Sequence, residues 1–116
     1  VKETAVVIAI GSHDPVSREL DDVLMARASI YVESLRSSQR EAGDIVQAMA
    51  SGAIAGPDRL GTLADLVHRR NPRPAGLPAV LKTTGMPWQD LAVAAAVYEA
   101  YSEESGHPEP TWNGPP

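Results

Sequence analysis

Cysteine and phenylalanine are absent from this chain of 116 residues, and aromatic residues make up only 4% of it. Without a thiol there is no disulfide framework, no thiolate metal site and no cysteine nucleophile, a usage that fits the cytoplasm. Long hydrophobic runs are missing too. The longest, Ala5 to Ile10 and Leu91 to Val97, fall far short of the roughly 20 residues that cross a bilayer, and the amino terminus has no signal-peptide layout. A soluble protein with no membrane partner is expected. Basic charge is scarce: 10 Lys and Arg stand against 15 Asp and Glu, a formal net charge of -5. Such a field does not attract phosphate backbones, and Arg69, Arg70 and Arg73 are too few to reverse it, so nucleic acid is not expected as a partner. Three motifs are also lacking. No glycine-rich dinucleotide fingerprint follows a predicted strand, no phosphate loop with Gly-Lys-Ser/Thr occurs, and no serine sits in a nucleophile elbow.

What remains is ordinary globular material, 43% hydrophobic and 22% charged, enough for one small domain with its own core. Thr4 to Ile10 is a continuous β-branched and apolar run, the pattern of a strand buried on both faces in a parallel sheet, and it stops at Gly11. From Arg18 to Ala28 the positions Leu20, Val23, Leu24 and Ala28 recur at helical steps, with Ser17 as the cap. Ser29 to Glu33 reads as a strand, so strand, helix and strand form one βαβ unit with parallel pairing. Helical spacing returns between Ser37 and Ser51, divided at Gly43 and Asp44 and closed by Gly52. Leu60, Leu63, Ala64 and Val67 predict a further helix, ended by Asn71-Pro72-Arg73-Pro74. Ala79 to Thr83 is a short strand candidate. Pro87 then opens the strongest helix of the chain, with Trp88, Leu91, Ala95, Tyr98 and Tyr101 on one stripe and many alanines beside it. The proline-rich tail from Ser105 to Pro116 is expected to be disordered.

In an open parallel sheet, ligands gather at the carboxyl ends of the strands. That makes Gly11-Ser12-His13-Asp14-Pro15 the first candidate site. Gly11 permits close approach to the backbone, and the next three residues offer a hydroxyl, an imidazole and a carboxylate. The competing reading is a plain turn with a capping aspartate. The second candidate is Lys82-Thr83-Thr84-Gly85, a strand end before a helix start, although an isolated lysine is ordinarily a solvated surface group. His68 and His107 have no partners at metal-ligand spacing, and no metal is expected.

One ordered set of short motifs remains: Ile8-Ala9-Ile10-Gly11-Ser12-His13 with Pro15, Arg18-Glu19-Leu20-Asp21, Tyr31-Val32-Glu33-Ser34, Glu41-Ala42-Gly43-Asp44, Leu60-Gly61 with Leu63 and Leu66, and Leu81-Lys82-Thr83 with Gly85-Met86 and Asp90-Leu91-Ala92. In this order, from about Val1 to Tyr101, the chain resembles the ornithine cyclodeaminase and mu-crystallin family. The resemblance implies an α/β fold: the carboxyl-terminal portion of a Rossmann-type parallel sheet with packed helices, ending in a long helix. Residues 1–85 would be the second half of the NAD(P)-binding domain, 86–104 a terminal helix packing on the substrate and dimerisation domain, and 105–116 the tail.

The resemblance also implies NAD or NADP as cofactor, an imino or amino acid as substrate, hydride transfer, and a homodimer in the full-length form, the fragment alone being inactive. His13 would be the catalytic group, with His13 and Asp14 on the substrate, and Gly11, Ser12, Lys82, Thr83, Thr84 and Gly85 on the cofactor. Cyclodeaminases of the family carry an aspartate where His13 stands, which turns the expectation toward imine or ketimine reductases and amino acid dehydrogenases. Ornithine cyclisation and a non-catalytic role, either binding of a nicotinamide or other small molecule or an interaction module, are the alternatives. The segment Pro74-Ala75-Gly76-Leu77-Pro78 and Thr84 depart from the family pattern.

Overall fold

The computed structural model of the chain describes residues 1–106. Among them four short strands form one sheet: β1 (Val6–Ala9), β2 (Ser29–Val32), β3 (Leu60–Thr62) and β4 (Ala79–Lys82). Five helices accompany them, α1 (Asp22–Arg27), α2 (Leu35–Glu41), α3 (Gly43–Ala50), α4 (Leu63–Val67) and α5 (Pro87–Ser105), with a 3-10 turn over Pro57–Arg59. Every pairing is parallel and the strand order is β1-β4-β2-β3. The predicted βαβ unit therefore exists with a correction. β1 and β2 run parallel but are not neighbours, because β4 lies between them, its Val80 opposite Val7 on one side and Ile30 on the other.

Side chains alternate across the sheet, and the two faces differ. One face carries Val7, Ile30, Val32, Leu60 and Val80, which join Met25 and Ala28 of the α1 segment with Ala42, Ile45 and Ala48 around α3 to make the core. The other face carries the in-register row Ile8, Leu81, Tyr31 and Gly61. At its β1 end it is open: Val6 and Ile8 are each 62% exposed. The expectation of an opening strand buried on both faces is thus corrected. β1 is an edge strand paired only with β4, and it spans Val6–Ala9, not Thr4 to Ile10.

Local chemistry explains where the helices begin. α1 is capped by Asp21, whose side chain accepts the Leu24 amide at 2.8 Å; Ser17 is not its cap, because the intervening Glu19 and Leu20 amides are drawn to Asp44. α2 starts behind Ser34, which accepts from the Ser37 amide, and the expected division of this helical stretch falls at Ala42, the last cap of α2 and first of α3. β3 was not foreseen. Leu60-Gly61-Thr62 pairs with Ile30-Tyr31-Val32, and Thr62 then caps α4 through the Asp65 amide. α5 follows the expected course from Pro87, with the Gln89 side chain accepting the Met86 amide. It runs to Ser105 and ends at Gly106 with φ 63°, so the first two residues assigned to the tail belong to the helix end; the rest of that segment, with His107, lies outside the described residues. The fold separates into two compact units, Val1–Gly85 and a second beginning at Met86. Among the described residues no helix is long and apolar enough to cross a membrane.

Candidate functional site

Because all four strands are parallel, their carboxyl ends share one edge. The loop after β1 (Gly11 to Pro15), Glu33 after β2 and the loop after β4 (Thr83 to Gly85) meet there. Beneath the first loop lies a charged group that sequence reasoning did not single out. Asp44, in the first turn of α3, is fully buried. Its Oδ1 accepts the amides of Glu19 at 2.8 Å and Leu20 at 2.7 Å, and its Oδ2 accepts the Ser12 hydroxyl at 2.7 Å. Lys82, the last residue of β4, has a side chain without solvent exposure. Its ammonium lies 3.4 Å from Asp44 Oδ2 and donates to Glu19 Oε2 at 2.9 Å. Lys82 is therefore not the solvated group that an isolated lysine ordinarily is: a buried ammonium needs partners, and here it has two.

Glu19 completes the arrangement. Its Oε2 accepts the amides of Gly11 at 2.8 Å and Ser12 at 2.9 Å. The Ser12 amide and the Lys82 ammonium, with the Gly11 amide, outweigh desolvation and hold the Glu19 carboxyl down to about 2. Two glycines have close neighbours here, and at Gly43 the neighbour is backbone. A Cβ on Gly11 would stand 2.9 Å from Glu19 Oε1, and one on Gly43 would stand 1.8 Å from the Ser17 carbonyl oxygen, inside any tolerable contact. The Gly43-Asp44 pair thus lets the start of α3 press against the loop while its carboxylate reaches in.

His13 is exposed, with Nδ1 3.3 Å from the Gly11 carbonyl oxygen. Asp14 organises the turn that follows, its Oδ1 accepting the amides of Val16 at 2.9 Å and Ser17 at 2.8 Å. Hydrogen bonds from Ser17 and Val16 hold its carboxyl below the usual carboxylate range. On the neighbouring loop the amides of Thr84 and Gly85 donate to Glu33 Oε2 at 3.2 and 3.1 Å, and Gly85 takes φ 76°, in the left-handed region where glycine is at ease. Gly11, Ser12, His13 and Asp14 are thus brought together with Lys82, Thr83, Thr84 and Gly85 at one edge. Glu19, Asp44 and Glu33 were missed as members of it. A signal existed for one of them: Gly43-Asp44 interrupts an otherwise helical pattern. Among the described residues no three His, Cys, Asp or Glu side chains are grouped to hold a metal.

Comparison with known proteins gives this edge its context. The model of the ornithine cyclodeaminase/mu-crystallin family matches residues 1–105. The chain belongs to that family. Ketimine reductase mu-crystallin of Mus musculus is 33% identical over 102 residues, covering 88% of this chain and 30% of that protein. Among solved structures, the probable ornithine cyclodeaminase of Bordetella pertussis Tohama I superposes with a TM-score of 0.84 at 34% identity, over 95% of this chain and 36% of that one. The iminosuccinate reductase of Paracoccus denitrificans in complex with NAD+ gives 0.81 at 34% identity, over 91% and 32%. The chain therefore spans about a third of the length of these relatives. Its parallel sheet, packed helices and long final helix are a portion of the family's Rossmann-type fold.

Proposed function

We propose that this chain is the carboxyl-terminal part of an NAD(P)-dependent oxidoreductase that reduces an imino acid or oxidises the matching amino acid, and that the Gly11–Asp14 loop is its contribution to the substrate side of the site. The observation that carries the reading is the placement of His13, exposed on a firmly anchored loop at the carboxyl edge of a parallel sheet, in a family whose relatives include a ketimine reductase and an iminosuccinate reductase.

The residues present fit only one end of a dinucleotide. A pyrophosphate calls for free backbone N–H groups or a free cation, and the amides of Gly11, Ser12, Thr84 and Gly85 are already given to Glu19 and Glu33, while Lys82 is given to Glu19 and Asp44. The ring end makes no such demand. Gly85 is exposed and a Cβ there would meet nothing within 4 Å, so a flat neutral group can lie against its backbone. A bound nicotinamide supplies the hydride. His13 then handles the proton at the substrate nitrogen, as donor in reduction and acceptor in oxidation, and Asp14 shapes the turn that carries it. Lys82 acts from beneath through the loop it anchors, and Thr83 to Gly85 form the opposite wall.

The test is steady-state oxidation of NADH and NADPH with five- and six-membered cyclic imino acids, in a protein that carries this segment with the rest of the family's length. Turnover is expected, and His13→Ala should lower kcat by about a hundredfold, the scale of a lost general acid, with little change in cofactor affinity. A folded, cofactor-bound protein with no turnover, or a His13→Ala variant of undiminished kcat, overturns the assignment.

A further inference from the structure

The anchoring of the loop is more elaborate than a surface turn needs. A short loop that only has to connect β1 to α1 is satisfied by its own turn bonds, such as those from Asp14 to the Val16 and Ser17 amides. Here three further ionisable side chains from three different segments converge under it. Lys82 comes from the end of β4, Asp44 from the start of α3 and Glu19 from the stretch before α1. Glu19 and Asp44 bond the loop's own atoms, and Lys82 bonds these two carboxylates from below. The Gly11 amide, the Ser12 amide and the Ser12 hydroxyl are all held by this group, and Gln47 of α3 adds a bond to the Pro15 carbonyl oxygen at 3.1 Å. Two of the three charges are fully buried, and burying charge is costly unless every polar atom is met. Apolar packing would hold a connecting loop at less expense in free energy.

We propose that Asp44, Glu19 and Lys82 are positioning residues for the proposed reaction: they fix the backbone at Gly11 and Ser12 so that His13 stands in one place at the carboxyl edge. None of the three need touch the substrate. The arrangement is reciprocal, since the single positive charge of Lys82 is shared between the two carboxylates that hold the loop and they in turn keep an ammonium at the end of the central strand β4. Losing Asp44 frees the Ser12 hydroxyl and the 19–20 backbone together; losing Glu19 frees the Gly11 and Ser12 amides directly.

This inference rests on the reading of the loop as the substrate side of the site, and two measurements separate its failure from the failure of that reading. The first needs no ligand: amide hydrogen exchange in this chain, comparing Gly11 and Ser12 with Ile30 and Val80 in the sheet. In Asp44→Asn, which keeps the shape but faces a donor toward either Lys82 or the 19–20 amides, exchange at Gly11 and Ser12 is expected to rise at least about tenfold, the equivalent of one charge-assisted hydrogen bond, with Ile30 and Val80 unchanged. Glu19→Ala, at a side chain 35% exposed, gives the same local signature if Asp44→Asn does not fold. Unaltered exchange at the loop, or equal acceleration of loop and sheet amides, overturns the proposal, the latter because the group would then serve general stability alone. The second measurement is turnover in the longer protein. Misplacing a reacting group by about 1 Å costs on the order of a hundredfold, so Glu19→Ala should lower kcat on that scale while KM for the cofactor holds. Equal kcat in variant and parent sinks the positioning role. If the parent itself shows no turnover, the proposed function falls, and the exchange result still decides whether these residues hold the loop.

Discussion

The strand-end position of Lys82 was legible, but its partners, and those of Asp44, could not have been read along the chain. The bond between Lys82 and Glu19 joins residues 63 positions apart, and that between Ser12 and Asp44 joins residues 32 apart, so neither leaves a local pattern. The loop they serve was legible, because a glycine at the end of a β-branched run followed by Ser, His and Asp has a local reason to be a strand exit. Charge makes the hidden part measurable. Glu19 has a carboxyl pKa depressed from 4.5 to about 2 in the folded chain by the Ser12 amide and Lys82. A depressed carboxylate contributes stability that is fully present above its unfolded pKa and is lost as pH falls through the folded value. The window for Glu19 is therefore between about 4.5 and about 2. The thermal midpoint of the parent chain should fall more steeply across that window than that of Glu19→Gln, which has no proton to gain. The depressed carboxyls of Asp14, Asp22 and Asp65 titrate in both proteins and cancel in the difference. Parallel curves would show that Glu19 is not held as described.

At the scale of elements, what the sequence revealed depended on length and on who supplies the cover. The 19 residues of α5 carry enough turns for spacing to be read, and the Gly43 break was visible because a glycine interrupts a helical repeat. β3 has three residues, too few for any period, and its Leu60 fell into step with the apolar positions of α4, so strand and helix merged into one predicted helix. β1 misled in another way: its β-branched run fits burial on both faces, yet this chain covers only one. α4 stops after five residues, and the cause is local. Arg69 takes φ 56°, a left-handed conformation that costs a residue with a Cβ about 1–2 kcal/mol, while its amide bonds back to Leu66. Glycine is the usual occupant of that position after a helix. Arg69→Gly relieves the strain and loses part of the gain to the greater freedom of glycine in the unfolded chain, about 0.4–1 kcal/mol. A rise of a few degrees in the thermal midpoint is expected, since about 1 kcal/mol moves a domain of this size by roughly 4–8 °C. A fall would mean that the Arg69 side chain contributes more than its backbone costs.

The whole molecule is best understood from what it leaves uncovered and what it lacks the groups to hold. Val6 and Ile8 on the edge strand and Ile10 just past its end are exposed at 62, 62 and 71%, and on α5 Trp88, Leu91, Val93 and Val97 are likewise exposed. Apolar surface of this kind commonly marks a place where another element belongs. The same partition governs the cofactor. A dinucleotide is held chiefly at its pyrophosphate, by a glycine-rich turn and the free N–H groups of the helix that follows. No such turn occurs in the 116 residues, and the Gly11, Ser12, Thr84 and Gly85 amides at the carboxyl edge are engaged by Glu19 and Glu33. What the edge retains, two exposed glycines and an exposed imidazole, can line a ring that is held elsewhere but cannot capture the dinucleotide from solution. Calorimetric titration of this chain with NADH and with NADPH should therefore give no saturable heat at micromolar ligand. A clear micromolar isotherm would mean that the edge binds the dinucleotide through groups other than those that hold its pyrophosphate in Rossmann folds.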